Sequence, residues 1–408
     1  MNKQQYTVKH LCDDTLNVML NFLPLIDICS IKLLNKYYEE FIETDFMLEN
    51  YIHSKVNDGV IKKHGKYLKK IIICDDEDKF RDDHLIGCTK LEFFIAYQSS
   101  RITNDGLKYI PNIINLYLLN GINITNEGLK YIPNIQTLNI KNNTNITDEG
   151  LKYITNIQNL ILGFDINITD EGLKYIPNIQ NLILKSGINI TDEGLKYISN
   201  VKALNLYYNV NITDKGLKCV PNVGCLKLPE NDNITDEGLR YISNVQNLNL
   251  AKNKNITDNG LGFIKNIQKL NLYNNKNITD NGFKSIRNVK KLNLCNNTNI
   301  TNEGLIYIRN IQNLDLSTNT KITNRGLLYI SKVKKLYLAT NNNITDKGLA
   351  YIPYIEELDL YNNTKITNRG LKYIPKVKKI CLYNNKNITK RGLKYIPNIR
   401  DIHELRFE

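Results

Sequence analysis

From residue 101 onward, apolar positions recur every 22 residues without insertion or deletion. In one register, NIQTLNIKNNTNITDEGLKYI (134–154), the apolar set is Ile135, Leu138, Ile140, Ile146, Leu151 and Ile154. The two halves differ in period. Leu138 and Ile140 alternate with Thr137, Asn139 and Lys141, as in a half-buried strand with the first two inward and the other three outward. Leu151 and Ile154 stand three apart, the spacing of one helical face. The segment 146–154 therefore predicts a turn leading into one or two helical turns. Thr147 and Asp148 would cap its orphan N–H groups, and Glu149 suits the positive end of its dipole.

A glycine marks each register, from Gly106 to Gly392 in steps of 22, with Ile four residues and Thr three residues before it in all fourteen. Self-similarity at a fixed period signals a solenoid, because one such unit cannot bury its apolar face alone. The expected fold class is an α/β repeat solenoid of parallel strands and short helices. Stacked strands need about 4.8 Å and stacked helices about 10 Å, which puts the strands on the concave side. Two less regular units, Leu68-x-x-Ile71-x-Ile73 and Leu91-x-x-Phe94-x-Ala96, precede the series and bring the expected strand count to about sixteen. Asn143, and the Asn residues every 22 from Asn209 to Asn385, end the strand segment. Their amides are expected to bond backbone groups of the adjacent coil. At the far end Glu404 replaces an inward Leu, as a polar cap would.

Charge adds less than its size suggests. The net charge is +13, but residues 1–100 hold 13 basic and 16 acidic groups and residues 101–408 hold 41 and 25. Much of the excess lies in one outward column: Lys108, Lys130, Lys152, Lys174, Lys196, Lys218, Arg240, Lys284, Lys372 and Lys394. Glu127, Glu149, Glu171 and Glu193 stand three before four of these lysines, the spacing of weak surface pairs. Eleven Tyr, among them Tyr109, Tyr131 and Tyr153, stand three after a Gly, where packing between coils is expected rather than stacking on bases. The pairs Lys290-Lys291, Lys334-Lys335 and Lys378-Lys379 could attract acidic partners or RNA, but Glu356 and Glu357 fall between two of them and could neutralise them. Nucleic acid is accordingly not the expected partner.

Catalytic and metal chemistry find little support. Eight Cys without a CxxC pair suit a reducing compartment, and no apolar run is long enough for a signal peptide or a membrane span. A cytoplasmic or nuclear location is expected. Eleven N-I-T sequons, beginning at Asn123, Asn145 and Asn167, are explained by the repeat itself. Cys74, His84 and Cys88 lack a fourth ligand at zinc-like spacing and read as buried or incidental. No P-loop or nucleophile signature is present. We expect no enzyme, no cofactor and no metal.

These repeats resemble leucine-rich repeats. The I-T-D-x-G-L-x-x-I segment is most similar to the cysteine-containing subclass of F-box/leucine-rich-repeat proteins, over roughly residues 66–408. The resemblance implies a right-handed solenoid. These units are shorter, and they carry Asn where that subclass often has Cys. The nearly uniform units and the bias toward Ile, Asn, Lys and Tyr are similar to proteins of amoebae and of their large DNA viruses.

Residues 1–50 follow a different pattern, with Leu16, Met19, Leu20 and Leu23 at helical spacing before Pro24. The stretch 11–41 resembles an F-box through Leu11, Asp14, Leu20, Leu23, Pro24, Asp27, Ile28 and Lys36, with Cys12 where Pro is usual and Tyr38 where Trp is usual. The resemblance implies that Leu11, Leu20, Leu23, Pro24, Asp27 and Ile28 dock a Skp-type adaptor of a cullin ubiquitin ligase while the repeats bind a target protein. A monomer outside that complex is expected, and the lack of a long apolar run leaves no membrane association expected. The domain reading is a helical unit over 1–50, a linker with irregular repeats over 51–100, and the solenoid over 101–408. The alternative is an interaction scaffold with a decayed F-box, binding acidic proteins or RNA.

Recognition is expected on the outward strand positions, wherever they depart from the common Asn. Tyr207, Tyr208, Lys227, Pro229 and Glu230 interrupt the consensus, and Tyr273, Asp315, Tyr337, Asp359, Tyr361 and Tyr383 add aromatics and acids further on. Tyr gives a large contact area at little entropic cost.

Overall fold

The computed structural model describes residues 65–73, 80–96, 101–118, 123–140, 143–162, 167–185 and 189–403. The F-box-like stretch with Leu11, Leu20, Leu23, Pro24, Asp27 and Ile28 lies outside the described residues, as do Cys74 and Glu404. The chain divides into two compact units, Met1–Leu162 and Gly163–Glu408. In the first, five strands run parallel in chain order: β1 (Lys70–Ile73), β2 (Phe93–Ala96), β3 (Asn115–Leu118), β4 (Thr137–Ile140) and β5 (Asn159–Leu162). The second has eleven. They are β6 (Asn181–Lys185), β7 (Ala203–Tyr207), β8 (Cys225–Lys227), β9 (Asn247–Asn249), β10 (Lys269–Asn271), β11 (Lys291–Asn293), β12 (Asn313–Asp315), β13 (Lys335–Tyr337), β14 (Glu357–Asp359), β15 (Lys379–Cys381) and β16 (Asp401–His403). Sixteen parallel strands among the described residues match the count expected from the repeats. The 22-residue period sets the register, so that Leu248, Leu270 and Leu292 stand side by side.

Each coil folds because its apolar set points one way. In the coil of β9, Val245, Leu248, Leu250, Ile256, Leu261 and Ile264 are all 1% exposed or less. Burying such a side chain contributes about 1.5–3 kcal/mol, but a single coil can cover only one side of it. The helical turns run from Asp258–Leu261 to the longer Asp214–Cys219 and Asp236–Tyr241, too short to persist without the neighbouring coils. Thr137 keeps its expected outward place on the strand but is only 7% exposed, because Asn159 beside it on β5 covers it and donates Nδ2 to its Oγ1 at 3.0 Å.

The I-T-D-x-G segment works between coils. Thr caps its own helical turn in part of the series, as where Thr257 Oγ1 accepts from the Asn259 N–H at 3.2 Å, but Thr147, the cap expected from the sequence, makes no such side-chain bond. The following acid does not cap that turn, contrary to the sequence reading; it reaches into the next coil. Asp236 Oδ1 accepts the Thr257 N–H at 2.8 Å, and Thr257 Oγ1 donates to Asp236 Oδ2 at 2.6 Å. The same rung joins Asp170 to Thr191, Asp192 to Thr213, Asp214 to Thr235, Asp258 to Thr279 and Asp280 to Thr301. Where Asn replaces Asp, the side-chain bond reverses. Asn126 Oδ1 still accepts the Thr147 N–H at 3.0 Å, while Asn126 Nδ2 donates to Thr147 Oγ1 at 2.8 Å. Only a short side chain with an oxygen at this reach can serve, which accounts for Asp or Asn at these positions. The rung also accounts for the glycine, because a Cβ on Gly260 would stand 2.2 Å from Asp236 Oδ1. It is room, not a positive φ, that this glycine supplies.

The strand exits are tied in a second way. Nine successive residues from Tyr208 to Asn384, one per coil, have φ between 54° and 63°, and Thr318 and Thr340 are β-branched in a region such residues seldom enter. Seven of them, Glu230 to Asn362, give their N–H groups to the next coil, as Lys252 N–H does to Tyr273 O at 2.7 Å. The residue after each is the expected ladder Asn. Asn253 is fully buried, donates to Ile234 O at 2.9 Å and to Asn231 O, and accepts the N–H groups of Asn255 at 2.8 Å and Ile256 at 2.9 Å. Asn319, Asn341 and Asn363 continue the ladder by donating to the carbonyl one coil back, each at 2.7 Å.

Candidate functional site

The strand face of the second unit is built largely from side chains that hold their own turns. Asn249, Asn271 and Asn293, the last residues of β9, β10 and β11, accept through Oδ1 the N–H two residues on, at 3.0, 2.9 and 2.9 Å. Asp315 and Asp359 preserve that bond, accepting from Ser317 at 2.9 Å and Tyr361 at 2.8 Å. One carboxylate oxygen of each acid is therefore structural, which reading the sequence alone did not reveal. Lys227 cannot accept such a bond, and the residue two further on is Pro229, which has no N–H to offer. Acceptor and donor disappear together, so Lys227 is released from turn-holding.

Lys227, Asp315 and Tyr337 come together in one shallow groove of about 390 Å³, with Lys269 and Lys291 between them. Among the described residues no carboxylate pairs with these three lysines. Tyr337 is 38% exposed, and burial, followed by the Glu357 charge, raises its phenol pKa. The other expected recognition residues lie elsewhere. Tyr207 and Tyr208 meet edge to face at 4.5 Å, and Tyr361 stacks on Tyr383 at 5.4 Å with rings 1° from parallel. Glu230 is paired with Lys252 at 2.7 Å. Tyr273 follows the Asn271 turn and is not part of the groove lining. Sequence reasoning passed over Lys269, whose signal is KLN where the consensus has NLN. In the first unit it passed over Phe93 and Tyr117, ring centroids 5.7 Å apart, with Lys70 Nζ 4.6 Å from the Phe93 centroid.

The helical side packs as its columns predict. Lys130 Nζ bonds Glu127 at 2.6 Å and stands 5.2 Å from the Tyr153 centroid, one coil on. Lys174 repeats this between Glu171 and Tyr197, at 2.6 and 5.3 Å. The Tyr rings thus pack between coils, with lysines over their faces, and do not form a free stacking platform. The bond to Glu127 raises the Lys130 pKa, but exposed pairs of this kind add little stability. The lysine pairs near Glu356 are neutralised as anticipated: Lys334 and Lys378 approach Glu356 at 3.2 and 2.6 Å, and Lys335 approaches Glu357 at 2.6 Å. In the first unit His84 stacks on Phe80 at 5.0 Å, and burial pushes the Cys88 thiol up to about 11, as suits core packing. Among the described residues no His, Cys, Asp and Glu cluster could hold a metal, and no helix is long and apolar enough to cross a membrane.

A leucine-rich-repeat family model matches residues 131–154 and 197–220. No curated protein is significantly similar to the chain in sequence. Among solved structures, an internalin from Listeria monocytogenes is 24% identical over 69% of this chain and 83% of its own, with a TM-score of 0.53. A leucine-rich-repeat protein of Leptospira interrogans is 20% identical over 83% of this chain and 91% of its own, with a TM-score of 0.57. The fold is a leucine-rich-repeat solenoid. A chain from the yeast complex of Rad7 and Elc1 is 14% identical, covers 93% of this chain and 98% of its own, and has a TM-score of 0.53. Within this leucine-rich-repeat frame, the consensus polar residues hold the coils together. Among the departures from consensus, Lys227 and the exposed Tyr337 leave free chemistry on the strand face.

Proposed function

We propose that this leucine-rich-repeat chain is a non-catalytic recruiting subunit. It recognises a target protein on the strand face around Lys227, Asp315 and Tyr337, and its F-box-like stretch docks a Skp-type adaptor of a cullin ubiquitin ligase. The observation carrying this reading is the groove itself, lined by three departures from the repeat, Lys227, Asp315 and Tyr337, of which only Asp315 still gives an oxygen to a turn bond. Mixed lysine, carboxylate and exposed aromatic groups suit a protein partner, because Tyr supplies area while the charges select register. A chain with this fold occurs in the yeast complex of Rad7 and Elc1, which accords with a paired subunit. The effect on the target is proximity, with the chemistry done elsewhere.

Docking of the adaptor is tested by co-purifying it with the full chain and with a Leu20→Asp/Ile28→Asp variant. The full chain should retain the adaptor and the variant should lose it at least tenfold, while Lys227→Glu/Tyr337→Ala retains it. Equal retention by the F-box variant, or none by the full chain, removes the ligase role and leaves a free-standing interaction scaffold.

A further inference from the structure

A cavity of about 790 Å³ opens beside the strand entries of the last four registers, away from the strand-face groove. Its walls depart from the repeat in two adjacent columns. The first column is Asn in each of the ten preceding registers, Asn112 to Asn310, and then reads Lys332, Tyr354, Lys376 and Asn398. The second is Gln in six of those ten and then reads Lys334, Glu356, Lys378 and Arg400. The consensus Asn has structural work: Asn112 Nδ2 donates to Thr89 O at 2.7 Å, and Asn398 Nδ2 donates to Pro375 O at 3.0 Å. Lysine at 332 and 376 gives that role up. Five cations and one carboxylate now face a common space.

We infer that this cavity is a binding site for an acidic peptide segment of a partner protein, read as spaced carboxylates by Lys332, Lys376 and Arg400 around the Lys334–Glu356–Lys378 bridge. Glu356 joins Lys334 and Lys378 and is 31% exposed, so those two cations are partly occupied and the outer three carry the free charge. The bonds to Lys378 and then Lys334 hold the Glu356 carboxyl below its ordinary range, so it remains charged at the centre. A nucleic-acid strand with a charge on every phosphate would press against that carboxylate. It would also need an open aromatic face, and Lys376 Nζ occupies the face of Tyr354, 4.6 Å from its centroid. Carboxylates on alternate residues of an extended peptide stand about 6.6–6.8 Å apart, so they can meet cations on either side and miss the central acid. This inference is independent of the F-box and of the strand-face groove.

The test uses the full chain and a fluorescein-labelled twelve-residue peptide of alternating Glu and Gly, with oligouridylate of equal charge as the rival probe. By fluorescence anisotropy the peptide should bind more tightly than the oligouridylate. Lys376→Glu/Arg400→Glu should weaken the peptide at least tenfold, and Glu356→Gln should tighten it severalfold. Lys269→Glu/Lys291→Glu, in the strand-face groove, should leave it within twofold. The altered lysines and arginine are exposed and Glu356 is half-buried, and an unchanged circular dichroism spectrum would establish that the fold persists. Unchanged peptide affinity in the Lys376→Glu/Arg400→Glu chain overturns the site. Tighter binding of oligouridylate, lost in the same variant, overturns the peptide as occupant.

Discussion

Gly260→Ala should destabilise the chain by about 3–5 kcal/mol, a large effect for one methyl group. The new Cβ would stand 2.2 Å from Asp236 Oδ1 and 3.2 Å from Leu239 Cδ1. Asp236 must then withdraw from Thr257, leaving the buried side of that rung without its acceptor. Overpacking costs about 1–3 kcal/mol and a lost bond to a charged group about 1.5–3 kcal/mol. Gly224→Ala is the control, since its Cβ would meet nothing closer than Lys202 O at 3.7 Å. Hydrogen exchange should show the loss of protection concentrated in the coils of β8 and β9, because solenoid stability resides in neighbour interfaces. Asp236→Gly combined with Gly260→Ala should recover part of the loss, a non-additivity expected of groups in contact. If Gly260→Ala is as mild as Gly224→Ala, the rung is not what the glycine protects.

Asn253→Ala is the second large effect, at about 3 kcal/mol. It strands the N–H groups of Asn255 and Ile256 and the carbonyls of Asn231 and Ile234 inside the turn. Unpaired buried groups cost about 1–3 kcal/mol each, reduced where water can enter. Asn297 provides the contrast: it is equally buried, but neither its Nδ2 nor its Oδ1 has a partner among the described residues. Asn297→Ala should therefore cost under about 1 kcal/mol. Denaturant midpoints of the two variants check the pair. Equal losses would mean that the ladder Asn acts through packing rather than through its bonds.

Much of the fold was legible because each coil repeats one physical problem. Leu138, Ile140, Ile146 and Leu151 announced their burial by period alone, and the ladder Asn residues by their place after the strand. Local periodicity could not say where Asp148-type residues point. Their partners lie 21 residues away, so the sequence favours the familiar N-cap within one turn, whereas stacking brings the next Thr closer. The same limit hid the turn bonds of Asp315 and Asp359, which look like free acids in sequence and use one oxygen each on the backbone. Lys227 was legible as a departure, yet its meaning depended on Pro229 two residues on. The cavity at Lys376 and Arg400 could not be foreseen as a site, because its walls come from four registers spread over nearly seventy residues.

The recruiting role is tested most directly by profiling ubiquitin-remnant lysines in cells that express the full chain, the Leu20→Asp/Ile28→Asp variant, or Lys227→Glu/Tyr337→Ala. The account predicts a set of lysine sites raised by the full chain and lost in both variants, because recruitment needs the adaptor end and the strand-face groove together. Sites that persist in either variant, or no sites raised by the full chain, would contradict it.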